Sequence, residues 1–145
     1  MGCWRPRRRS RAREPRFRSF VLSHLSLGVS DLDRSQAFYD AALAPLGVVM
    51  VWRHPDAIGY GAPGGPDRLA LFLTVDPQVP LAAGPGFHLA FAAPSQQAVT
   101  DFFSGAMAHG GVDEGPPGLR PHYGATYFAA FVRDPDGHKL EAKVS

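Results

Sequence analysis

His24-Leu25-Ser26-Leu27-Gly28-Val29 is answered 64 residues later by His88-Leu89-Ala90-Phe91-Ala92-Ala93. At the same offset Phe38-Tyr39 faces Phe102-Phe103, Ala42-Leu43-Ala44 faces Ala106-Met107-Ala108, and Gly47-Val48 faces Gly111-Val112, with no gap. Self-similarity at a fixed offset means one folding unit used twice. It also sets one histidine, His24 or His88, at the same point of each unit. Two equivalent histidines facing each other across a pseudo-twofold axis would form half of a metal site.

The first unit opens with a strand over Val21–Val29, with Leu25, Leu27 and Val29 on one face and His24, Ser26 and Gly28 on the other. Ser30-Asp31-Leu32-Asp33 starts a helix, with Ser or Asp as N-cap and acid in the first turn. Leu32, Tyr39, Leu43 and Leu46 follow at near-helical spacing, and Pro45 and Gly47 close the helix. Short strands are expected over Val48–Trp52 and Ala57–Tyr60. Leu69–Val75 is a strand apolar throughout, covered on both sides or lining a pocket.

Residues 76–86 form a linker, and the second unit repeats the order. Phe87–Ala93 is a strand with His88, Ala90 and Ala92 on one face. Pro94-Ser95 opens a helix whose Val99, Phe102, Phe103, Ala106 and Met107 share a stripe, and Gly110-Gly111 stops it. Val112–Glu114 is a short strand and 115–125 a Gly/Pro loop. Thr126–Arg133 and His138–Val144 form a hairpin through Asp134-Pro135-Asp136-Gly137. Each unit is thus strand–helix–strand–strand–strand. The small residues beside each histidine (Ser26, Gly28; Ala90, Ala92) leave room for a ligand.

At 145 residues the chain has the size of one domain. No apolar run reaches the 18 or so residues of a membrane helix. The net charge of +2 hides a division: residues 1–18 hold eight arginines against Glu14 alone. The remainder, with seven basic and twelve acidic residues, carries a formal −5 and offers no basic face for nucleic acid. Residues 1–20 have the composition of a disordered segment. An upstream start, with translation beginning near Val21, is the simplest account of them. A mitochondrial-type transit segment or an arm for anionic partners are the alternatives. Cys3 is the single cysteine, so no disulfide forms within the chain and no thiolate site is expected in the body. That fits a reducing, cytoplasmic setting without membrane or nucleic-acid partners.

Glu141 lies on the last strand, in phase with Lys139 and Lys143 and out of phase with Leu140, Ala142 and Val144. If the apolar set packs on the helix, Glu141 joins His24 and His88 on the concave side. Two histidines and a carboxylate suit Fe(II), Zn, Mn or Ni and leave positions open for substrate. Around them His122, Tyr123 and Tyr127 are candidates for proton transfer, Arg120 for holding a substrate anion, and Trp52, Tyr60 and Phe72 for an aromatic wall. His54, His109 and His138 are expected at the surface.

His24-Leu-Ser-Leu-Gly-Val-Ser-Asp-Leu-Asp-Arg-Ser-Gln-Ala-Phe-Tyr39, Phe87-His88, Pro121-His122-Tyr123 and Phe131-Val-Arg-Asp-Pro-Asp-Gly-His-Lys-Leu-Glu141 together resemble the vicinal-oxygen-chelate superfamily, the glyoxalase, bleomycin-resistance and extradiol-dioxygenase group. The resemblance covers residues 21–145. It implies an α+β fold of two βαβββ modules, about 21–78 and 86–145, forming a cupped mixed sheet with helices on the outer face. It also implies one divalent ion on His24, His88 and Glu141, a small substrate binding through two adjacent oxygens, and a possible homodimer. Glyoxalase I enzymes carry a fourth, carboxylate ligand on the last strand of the first module. Here that strand has Leu71-Phe72-Leu73, so glyoxalase I activity is in doubt and a dioxygenase, isomerase or lyase is the expectation. The alternative is a metal-free drug- or aromatic-binding protein without turnover.

Overall fold

A computed structural model describes residues 21–76 and 78–145. The Arg-rich segment 1–20 lies outside the described residues. The chain runs β1 (Leu25–Val29), α1 (Leu32–Leu43), a 3-10 turn (Ala44–Leu46), β2 (Val49–His54), β3 (Ala57–Gly61) and β4 (Asp67–Leu73). It then repeats the pattern in β5 (Leu89–Ala92), α2 (Gln96–Ala108), β6 (Val112–Leu119), β7 (Phe128–Arg133) and β8 (Lys139–Val144). Each module has its own four-stranded mixed sheet, ordered β1-β4-β3-β2 and β5-β8-β7-β6, with the first strand parallel to the last. The expected α+β fold of two βαβββ modules is what the chain adopts.

Both helices start as their sequences dictate. The Asp31 carboxylate accepts from Arg34 N at 3.0 Å, and Ser95 Oγ accepts from Ala98 N at 3.1 Å. Gly47, at φ 76°, supplies the left-handed residue that ends the turn after α1. α1 covers one face of β2–β4, α2 covers one face of β6–β8, and the two helices pack on each other. One core therefore joins the modules, with Phe38, Leu43, Ile58 and Leu71 from the first and Phe102, Val132 and Leu140 from the second. The helices approach closely at Gly105, where an added Cβ would stand 2.5 Å from the Ala41 carbonyl oxygen. Gly105→Ala is expected to push α1 and α2 apart and to lower stability by about 1–3 kcal/mol. Urea unfolding would read this directly. An unchanged midpoint would mean that the helices yield without cost.

The Asp134–Gly137 turn locks the modules together. Asp134 Oδ1 accepts from the amides of Asp136 and His138, and its Oδ2 accepts from the Tyr39 hydroxyl at 2.7 Å. Asp136 receives Ser30 and Arg34 from the start of α1. His138 Nε2 bonds the Gly28 carbonyl at 2.7 Å. His138 is therefore buried, not at the surface as its place beside a turn suggested; the turn docks on the other module rather than facing water. His54 and His109 are exposed, as expected.

Two strand boundaries differ from the sequence reading. β1 begins at Leu25 rather than Val21. β6 continues from Val112 to Leu119, through residues expected to be a loop. Its pairing with β7 shifts register between Asp113 and Gly115 and again between Gly115 and Gly118. Those shifts, on an edge strand, accommodate Pro116 and Pro117 without breaking a central ladder.

Candidate functional site

The face of the second sheet turned away from its helix carries most of the candidate site residues. In the second module β5 pairs with β8 so that Ala90 stands beside Glu141, and His88 precedes Ala90 on the same face. Ala90 sets only a methyl group beside Glu141. His88 Nε2 and Glu141 Oε2 meet at 2.9 Å. A carboxylate only accepts, so Nε2 carries the hydrogen in this bond. Tyr127 donates its hydroxyl to Glu141 Oε1 at 2.5 Å. Burial, then the hydrogen bond to Glu141 and its charge, pushes the Tyr127 phenol up to about 12, so it remains a donor near neutral pH. Phe131 sits across the hairpin from Glu141 and places its ring 5.8 Å from the His88 ring. The Glu141 side chain is 3% exposed and that of His88 40%, so the carboxylate forms the floor and the imidazole the rim.

The pair has the donor types and the spacing for a divalent ion once the hydrogen sits on Nδ1 and leaves the Nε2 lone pair free. Two neighbouring ligands of an octahedral ion, at about 2.1 Å each, lie about 3 Å apart, and Nε2 and Oε2 are 2.9 Å apart. With Oε1 taken by Tyr127, Glu141 presents one oxygen. The third expected ligand is elsewhere. His24 is exposed at the start of β1, its Nδ1 3.2 Å from Ser23 Oγ. Among the described residues no group of three or more His, Cys, Asp and Glu side chains stands together as an ion would need. One chain thus brings His88 and Glu141 together but not His24.

The first module has no counterpart of Glu141. Ser26 pairs with Ala70 as Ala90 pairs with Glu141, so Ala70, rather than Leu71-Phe72-Leu73, holds the matching place. The same open face carries Phe72, 46% exposed, and Trp52, whose ring lies over Gly59, where a Cβ would meet it at 2.2 Å. Tyr60 is not part of any wall. It pairs with Leu69, whose side chain is buried in the core, so its ring is fully buried and its hydroxyl donates to Asp40 of α1 at 2.9 Å.

The second module's candidates gather. A cleft of about 280 Å³ is lined by His88, Arg120, His122, Tyr123, Phe131 and Lys139, among others. The His122 and Tyr123 ring centres lie 4.1 Å apart and those of Tyr123 and Tyr127 5.3 Å apart, with the planes tilted by 43° and 51°, an aromatic run that ends at the Glu141 contact of Tyr127. Phe131 and Lys139 were not singled out as lining from sequence. The four-residue turn at 134–137 held the signal, because it sets Phe131 opposite Glu141 and Arg133 opposite Lys139.

The family model of the Glyoxalase/Bleomycin resistance protein/Dioxygenase superfamily matches residues 21–142. A solved glyoxalase/bleomycin resistance protein from Albidiferax ferrireducens T118 is 34% identical, aligned over 86% of this chain and 98% of its own, with a TM-score of 0.73. A glyoxalase-related enzyme from Fulvimarina pelagi is 27% identical over 86% of this chain and 87% of its own, with a TM-score of 0.65. None of the curated proteins matches the sequence. On the family match and on a fold of two βαβββ modules, the chain belongs to the glyoxalase/bleomycin resistance protein/dioxygenase superfamily.

Proposed function

We propose that the chain is a glyoxalase- or dioxygenase-like protein that holds one divalent ion (Fe, Mn, Zn or Ni) and acts on a small substrate through two adjacent oxygens. The observation that carries this reading is the His88–Glu141 pair, two adjacent donors at ligand spacing on an open sheet face. When bound, the ion supplies Lewis acidity to those two substrate oxygens. Tyr127 holds Glu141 in orientation and keeps its own proton. Phe131 packs beside His88, Tyr123 bridges Tyr127 and His122, and His122 lines the cleft, where a proton can pass to or from the substrate.

The third ligand comes from a second copy. His24 occupies in the first module the place that His88 occupies in the second, yet one chain does not bring them together. A twofold dimer would carry the partner's His24 to the His88–Glu141 pair and close the symmetry. Phe72, 46% exposed, and Phe87, 44% exposed, give those faces apolar area to bury.

Calorimetric titration of the full chain with Mn²⁺, Zn²⁺ and Ni²⁺, beside sedimentation analysis, tests this. One ion per chain in a dimer is expected. His24→Ala should weaken binding at least tenfold although His24 lies on the other module. Equal affinity in that variant would remove His24 from the site. A wild-type chain that binds no ion would refute the metal reading and leave metal-free binding of an aromatic ligand, for which Tyr123 and Phe131 line the cleft.

A further inference from the structure

Arg120 is built in rather than hanging from the surface. Its Nη2 donates to the Pro116 carbonyl at 2.7 Å and its Nη1 to Leu119 O at 3.4 Å. A Cβ at Gly115 would stand 3.2 Å from Nη2 and one at Gly118 3.2 Å from Nη1, so a side chain at either place would crowd the guanidinium where it now lies. Gly115 has φ 152°, a value that other residues rarely adopt, which ties that position to glycine on a second ground. The guanidinium carbon lies 5.8 Å from the Phe131 ring centre, and Lys139 Nζ lies 5.4 Å from the same centre. Neither cation has a carboxylate partner among the described residues. The acids nearby are already engaged: Glu114 pairs with Arg133, and Glu141 with His88 and Tyr127. Lys143 adds a further cation, 4.7 Å from the Tyr127 ring centre.

Two positive groups therefore converge on one aromatic ring in a cleft of about 280 Å³, beside the His88–Glu141 pair. We propose that this cleft anchors a small oxyanion, the carboxylate or phosphoryl group of the substrate, between Arg120 and Lys139, with the substrate body against Phe131. A guanidinium whose position is already fixed by carbonyls loses little freedom on taking an anion, and its remaining N–H groups suit a two-oxygen acceptor. The same charge repels cationic ligands. The assignment of this anion to a substrate rests on the metal-dependent reading above; anion binding itself needs no ion.

The full chain, stripped with EDTA, is titrated by calorimetry with phenylphosphonate and benzoate, and with benzyl alcohol as a neutral control of similar size. The anions are expected to bind at least tenfold more tightly than the alcohol, and whichever of the two binds tighter identifies the phosphoryl or the carboxylate source. Arg120→Gln and Lys139→Gln should each bring anion affinity down about tenfold, with Arg120→Lys intermediate, and thermal melts confirm that the variants fold. Benzyl alcohol binding as tightly as the anions, or an Arg120→Gln chain binding them unchanged, would overturn the proposal. Anion binding that emerges only after Mn²⁺ is restored would make the ion the receptor, overturning the proposal while sparing the metal reading. Anion binding in a chain that takes no Mn²⁺ would leave the anion cleft standing and end the metal reading.

Discussion

His88→Ala is expected to weaken divalent-ion binding by roughly 100-fold or more, beyond the 10- to 100-fold that loss of an outer supporting group typically costs. The variant removes one donor outright, since Nε2 is the atom at 2.9 Å from Glu141 Oε2. Glu141→Gln should act comparably, because an amide oxygen carries no charge to offset that of the ion. Tyr127→Phe is the graded case. It removes the 2.5 Å hydrogen bond to Oε1, frees the carboxylate to rotate, and should cost nearer tenfold. A fold control is needed because Glu141 is buried: without His88 it keeps only the Tyr127 donor, and losing a hydrogen bond to a charged group costs about 1.5–3 kcal/mol. Metal content and titration, read beside thermal melts, separate the two effects. A folded His88→Ala chain that retains wild-type affinity would show that the ion does not sit on this pair.

The sequence made the two modules legible because their signal is local and doubled. The strand alternation, the caps at Asp31 and Ser95 and the glycine stops occur twice, and each acts over a few residues. The meeting of Glu141 and His88 was legible for the same reason, through the phase of Glu141 on β8 and of His88 just before β5. What the sequence concealed depends on how the modules meet. His138 looked like a surface residue because nothing near it announces that the Asp134–Gly137 turn docks on Gly28 and Ser30, more than a hundred residues away in the chain. Tyr60 looked like a pocket wall because a one-residue difference in phase decides between the helix face and the open face of β3, and the pairing of Gly59 with Ala70 puts Tyr60 on the helix side. The separation of His24 from Glu141 within one chain likewise follows from helix-to-helix packing, which the repeat does not specify. Arg120 was a candidate anion holder by residue type alone; its surroundings were not legible, because they depend on the bulged register of β6 that brings Gly115 and Gly118 beside it.

Alkaline unfolding should be steep and should begin near pH 10. Burial, then the charge of Asp134 and the hydrogen bond to it, holds the Tyr39 phenol well above its ordinary value of 10.0. Burial, then Asp40, raises Tyr60 as well. Both rings are fully buried. The folded chain therefore keeps two phenolic protons that the unfolded chain releases above pH 10. The stability that these groups contribute is present in full below that pH and is lost as pH rises toward the folded-state values. Each retained proton contributes about 1.4 kcal/mol per pH unit, so the pair gives a slope of about 3 kcal/mol per unit. Tyr127, half-buried and raised only to about 12, adds a smaller part above pH 10 that fades as pH nears 12. Urea unfolding at a series of pH values between 8 and 12 measures this. Tyr39→Phe sharpens the test because its two effects have opposite signs. The variant leaves Asp134 Oδ2 without its donor and should be less stable at pH 7 by about 1–3 kcal/mol. Above pH 10 it should lose stability at about half the wild-type slope, because one of the two retained protons is gone. Parallel slopes for variant and wild type would mean that Tyr39 ionises without unfolding, and that the contact between Asp134 and α1 opens before the core does.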